Sequence, residues 1–177
     1  MAGGTFHGCS KEQVVAAQLG REAAIRFEAA VVCPYGWPAV IRSEPVTPDG
    51  APNPNLYYLT CPYLIKELSK LEDGGFMVRL QERLGRDRPL AAAMKVAQAE
   101  HRRQWTMALG DRQPVGGTRP PAISGAGEDS RVKCLHAHFA YYLVNESHEV
   151  GVLIGNELAE GWCADQRCRR LTCNGGG

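Results

Sequence analysis

The step Thr60-Cys61-Pro62 divides this chain into two stretches with different hydrophobic rhythms, and that division limits the folds open to it. Ahead of it the apolar runs are short and punctuated by Pro, Gly and Asn. "AIRFEAAVVC" (Ala24 to Cys33), "PAVIRSEPV" (Pro38 to Val46) and "LYYLT" read as strands, separated by "PYGW" and "TPDGAPNPN". In the first of those turns Gly36 is free to take a positive φ. Behind the step, Leu64, Ile65, Leu68 and Leu71 recur at i, i+1, i+4 and i+7, one face of a helix. Pro62 suits the first helical position, and Gly74-Gly75 would end the helix.

"FMVRLQERLG" continues as a second short helix. Leu90 to Leu109 follows as a longer one, with Leu90, Met94, Ala97, His101 and Trp105 on one stripe; His101 and Trp105 there read as core lining. A short helix from Lys11 that stops at Gly20, and later helices over Val132 to Val144 and Val150 to Trp162, complete the list. The expected class is α+β: a small, mostly antiparallel sheet in the N-terminal third, then a helical remainder, in a single domain. Residues 11–162 form that domain, between a flexible Gly-rich start (1–10) and a Cys-rich tail (163–177). A chain of 177 residues is long enough for one core of its own. Gly110 to Ser130, with three Pro and five Gly, reads as a functional or disordered loop.

Composition removes several function classes. Twenty Lys+Arg against nineteen Asp+Glu give a formal charge of +1, which provides no electrostatic footprint for nucleic acid or an anionic membrane. Arg83/Arg86/Arg88, Arg102/Arg103 and Arg167/Arg169/Arg170 read as solvated surface. The first thirty residues hold no basic segment followed by an apolar run, and no window approaches the ~18 apolar residues of a membrane span. The expectation is a cytoplasmic protein. Seven cysteines in a reducing compartment then point to metal binding or thiol chemistry rather than a disulfide framework.

Cys33 ends a strand before a tight turn, Cys61 stands where an N-cap belongs, and Cys134 lies in the first turn of "VKCLHAH". A thiol at a helix N-terminus feels the unpaired backbone N–H groups, which favour the thiolate that ligates metal or attacks electrophiles. On a regular helix Cys134 shares a face with His138, four residues on, and not with His136, roughly 200° around. His136 joins Cys134 only if Cys134 precedes the first regular turn. The three cysteines come singly, unlike paired zinc knuckles. They allow an iron–sulfur cluster with one iron open, slightly favoured, or a catalytic zinc with mixed Cys/His ligands. Cys163, Cys168 and Cys173 read mainly as surface thiols in a loose tail, with a fourth-ligand role as the minority reading, and Cys9 as incidental.

"QLGR", "CPYGWPAVI", "NLYYLTCP" with "LSKLED", and "RVKCLHAH" occur in that order. This set resembles the bacterial domain-of-unknown-function family numbered 501, over about Gln18 to Gly155. The resemblance puts Cys33, Cys61, Cys134 and His136 on the family's characteristic positions, and ranks His136 above His138. The tail after Gly161 departs from the pattern. The resemblance implies no activity; in some bacteria the family's genes adjoin those of a septum-formation initiator and an exopolyphosphatase-type enzyme. A looser similarity of spacing links the lone cysteines to small desulfidases, whose [4Fe-4S] cluster hangs on three thiolates.

Three functions follow as expectations. The first is a small metalloprotein with Cys33, Cys61, Cys134 and His136 as ligands. An open metal position would bind a small sulfur- or oxygen-containing molecule, and Lys133 and Arg131 would neutralise its charge. The second is a metal-free enzyme with Cys134 or Cys61 as nucleophile and His136 as base. The third is a non-enzymatic partner protein tied to cell division or envelope assembly, docking through the Leu90 to Leu109 helix.

Overall fold

The computed structural model describes residues 8–116, 119–125 and 129–171. It is α+β. Three strands, β1 (Phe27–Val32), β2 (Pro38–Ser43) and β3 (Tyr57–Leu59), form an antiparallel sheet in the order β1-β2-β3. The Cys33–Trp37 turn joins the first two: Cys33 N–H donates to Trp37 O at 2.8 Å, and Gly36 sits at φ 84°. β1 alternates half-buried and exposed residues, as an edge strand with one wet face does, whereas β2 is buried at five of six positions because it lies centrally.

Among the described residues the sheet is accompanied by six α-helices: α1 (Lys11–Leu19), α2 (Pro62–Asp73), α3 (Phe76–Arg86), α4 (Arg88–Leu109), α5 (Leu135–Val144) and α6 (Glu149–Asn156). α1 begins with a reciprocal capping box between Ser10 and Gln13 and ends at left-handed Gly20. Pro62 occupies the start of α2, and Asp87 caps α4 by accepting from Leu90 N–H at 3.0 Å. The core joins the inner sheet face to α2, α4, α5 and α6 through Val40, Leu59, Leu64, Leu68, Met94, Trp105, Leu135 and Ile154. Trp105 is fully buried, and its indole N–H donates to Asn53 O at 2.9 Å.

Several features differ from expectation, among them the outer ends of β1 and β2, which are each three residues shorter than expected. α5 starts at Leu135, not Val132, because Cys134 is extended (φ −157°, ψ 120°). α6 ends at Asn156, and the chain then runs irregularly past Leu158 and Trp162, both packed on the core, to a 3-10 turn at Arg167–Arg170. The described part of the Gly110–Ser130 loop is pinned: Ile123 N–H donates to buried Gln98 Oε1 at 2.7 Å and Ser124 N–H to Asn55 Oδ1 at 2.8 Å. Ala122 and Ile123 are buried, and the turn at Ile123–Gly125 packs against α5.

Candidate functional site

The extended backbone at Cys134 decides which histidine it meets. With the helix beginning one residue later, Cys134 and His136 flank the same edge: Sγ lies 3.8 Å from His136 Nδ1. His138 turns into the core, where it is fully buried and stacked on His148, with Nδ1 3.0 Å from His148 Nε2.

Glu72, near the end of α2, completes the arrangement, and the sequence reading had not singled it out. Its Oε1 accepts from Leu135 N–H at 2.8 Å, capping α5 from another helix, and stands 3.4 Å from His136 Nδ1. A signal was available: Glu72 is four residues after Leu68 and seven after Ile65, which sets a carboxylate at the margin of the apolar face of α2. Cys134 Sγ, a His136 nitrogen and a Glu72 oxygen all lie within 4.8 Å of one another, and this is the one such group among the described residues.

The ring orientation of His136 follows from its other nitrogen. Nε2 is 3.1 Å from Ile65 O and 3.4 Å from Ser69 Oγ, and Ser69 gives its own hydroxyl proton to the same carbonyl. A carbonyl only accepts, so Nε2 carries hydrogen and Nδ1 is the nitrogen turned to Cys134 and Glu72. A neutral ring would then aim a lone pair at a carboxylate. A positive charge between them, such as a proton on Nδ1, relieves this. As a proton site, the hydrogen bond to Cys134 foremost holds His136 up at about 9, with Ile65 O and Glu72 adding to it against burial. Burial would raise the Cys134 thiol, but the His136 bond and the Ala137 amide outweigh it and the net shift is downward.

Cys33 and Cys61 stand elsewhere. Cys61 is at the opposite end of α2 from Glu72, about 16 Å away along the helix axis. It lines a small enclosed cavity with Cys33, Cys163, Cys168, Gln18 and Trp162. The structure thus divides the expected ligand set, Cys33 and Cys61 in one place, Cys134 and His136 in another. Cys163 and Cys168 are not loose surface thiols but only 7% and 5% exposed. Cys9 is disulfide-bonded and packs beside Trp37 and Cys168; Cys173 lies outside the described residues. Arg131 and Lys133, expected to neutralise bound charge, are exposed, and Arg131 borders a surface groove with Gln81 and Glu82.

A family model described as "Protein of unknown function (DUF501)" matches residues 29–156. The chain belongs to the DUF501 family. No curated protein and no solved structure matches it. The DUF501 span contains Cys33, Cys61, Glu72, Cys134 and His136 and stops before Cys163 and Cys168. No helix among the described residues is long and apolar enough to cross a membrane.

Proposed function

We propose that this protein binds a single divalent metal ion, zinc by preference, through Cys134 Sγ, His136 Nδ1 and Glu72, leaving one coordination position for a small ligand. The observation that carries the reading is the convergence of three donor atoms within 4.8 Å around a histidine whose far nitrogen is already committed to a carbonyl. Histidine ligands of metal sites commonly fix their orientation in this way. One thiolate, one imidazole and one carboxylate match the three-ligand pattern of catalytic zinc, where the fourth position holds water or substrate. His136 and Glu72 retain 22% and 28% exposure, enough for a ligand to reach that position. A metal held so would polarise an oxygen or sulfur of the bound molecule and lower the pKa of a bound water.

The second reading is a metal-free nucleophile. It is favoured by the same Cys134–His136 contact, since a thiolate beside an imidazolium is an activated sulfur.

Alkylation of the full chain by iodoacetamide, read peptide by peptide with and without stoichiometric Zn2+, separates the two. Metal binding predicts that Cys134 labels readily in chelator and is shielded at least tenfold by zinc, and that His136→Ala abolishes the shielding. Fast labelling of Cys134 that ignores zinc would establish the nucleophile instead and refute the metal reading.

A further inference from the structure

Four of the chain's cysteines meet at a place distinct from the Glu72–Cys134–His136 group. Cys33 comes from the end of β1, Cys61 from the start of α2, and Cys163 and Cys168 from the arm that follows α6. Three of the four are buried, Cys33 is half-buried, and all four are free thiols. The arm is tied down by contacts that converge here. Tyr63 O–H donates to Glu160 O at 3.2 Å, the Arg167 guanidinium lies over the Tyr63 ring at 5.1 Å, and Gln18 reaches Cys168.

Burial raises both the Cys61 and the Cys168 thiols, but the surroundings hold hydrogen-bond donors for sulfur. Gln18 Nε2 is 2.8 Å from Pro38 O, which fixes the amide orientation because a carbonyl cannot donate, and the same nitrogen points at Cys168 Sγ at 3.5 Å. Gln18 is nine-tenths buried, and its Oε1 has no hydrogen-bond partner among the described residues. Cys61 stands at the N-cap of α2, where the Tyr63 and Leu64 amides of the first turn face its sulfur. Burial still pushes the empty Cys61 thiol up to about 11, with those amides and neighbouring sulfurs as lesser influences.

We propose that Cys33, Cys61, Cys163 and Cys168 hold a four-iron, four-sulfide cluster, with Gln18 as an N–H donor to its Cys168 sulfur. The spacing of the sulfurs favours the cluster over a single ion. Four thiolates on one tetrahedral zinc, each about 2.3 Å from it, would stand within about 4 Å of one another. No three of these sulfurs lie within 4.8 Å of one another. The enclosed space is about 10 Å³, less than a cluster occupies, so the 157–171 arm, which supplies two of the four ligands, has to stand further out in the loaded protein. Transfer from small thiolates balances without any change of electrons. Each cysteine replaces one thiolate on iron and passes its proton to the thiolate that leaves.

The test is anaerobic incubation of the full chain with a synthetic four-iron cluster ligated by mercaptoethanol, followed by desalting. The expected product is brown, with about four iron and four sulfide per chain. It should show Cys33, Cys61, Cys163 and Cys168 shielded from alkylation while Cys134 still reacts. Cys61→Ser and Cys163→Ser should retain no iron, and Cys134→Ser should load fully. The shielding pattern of the unaltered chain decides the matter even if a serine variant fails to fold. No iron after desalting, shielding of Cys134 in place of Cys163 and Cys168, or loss of loading in Cys134→Ser would each overturn the assignment. The expected results leave zinc binding at Cys134 to be read separately, by the zinc-dependent alkylation pattern.

Discussion

Gly151→Ala sets two effects of opposite sign against each other, and the structure decides between them. Alanine in mid-helix is favoured over glycine by about 1 kcal/mol. Gly151, however, is where α6 crosses α5, and a Cβ there would lie 2.1 Å from Tyr142 Cβ and 2.6 Å from its Cγ. Tyr142 Cβ cannot swing away by a rotamer change. To restore an ordinary contact near 3.4 Å the helices must part by about 1.3 Å. That would loosen Val150 and Ile154, both fully buried, and stretch the 3.0 Å contact between His138 and His148. Overpacking of this kind costs about 1–3 kcal/mol or more, and an unyielding Cβ puts it at the upper end. The net expectation is a loss of about 2 kcal/mol, a fall in Tm of roughly 4–8 °C for a chain of this size. Thermal unfolding followed by circular dichroism measures it. An unchanged or raised Tm would refute the packing of α5 on α6 described above.

Acid should weaken the fold through its buried imidazoles. Burial foremost lowers His101 to about 4 and His148 to about 4, and holds His138 well below its ordinary value. Between pH 6.5 and 4 the unfolded chain binds protons that the folded chain refuses. The share of stability carried by these three imidazoles is therefore full above about 6.5 and falls as pH drops, by up to about 3 kcal/mol each for His101 and His148 by about pH 4, with His138 still contributing to the fall below that. Urea midpoints across that window check this; a flat profile would contradict the burial. Glu72→Gln keeps an oxygen for Leu135 N–H but removes the charge, so it should change stability by less than about 1 kcal/mol while weakening zinc at least tenfold. Parallel unfolding and chelator-competition measurements read the two effects, and equal zinc affinity in both chains would remove Glu72 from the site.

The parts legible in the sequence were those set by local physics. The 3.6-residue rhythm of Leu64, Leu68 and Leu71, the Pro62 start and the turn at Gly36 gave α2 and the first hairpin's turn nearly to the residue, while the outer ends of β1 and β2 each stop three residues short of the expected strands. The site was only half legible. Cys134 and His136 stand two apart, and their pairing hung on whether the helix had begun. That is settled by Glu72, 63 positions away, whose carboxylate caps Leu135 where no Ser, Thr, Asp or Asn does. The gathering of Cys163 and Cys168 with Cys33 and Cys61 was illegible for a similar reason. It depends on Gln18 in α1 and Tyr63 in α2 holding an arm that shows no periodicity of its own.

X-ray absorption at the zinc edge, on the full chain loaded with one equivalent of Zn2+, tests the central claim most directly. Ligation by Cys134, His136 and Glu72 predicts one sulfur near 2.3 Å and the remaining ligands nitrogen or oxygen at about 2.0–2.1 Å, with imidazole scattering. It also predicts that the sulfur shell vanishes in Cys134→Ser. A shell of four sulfurs, or a one-sulfur shell that survives Cys134→Ser, would contradict it.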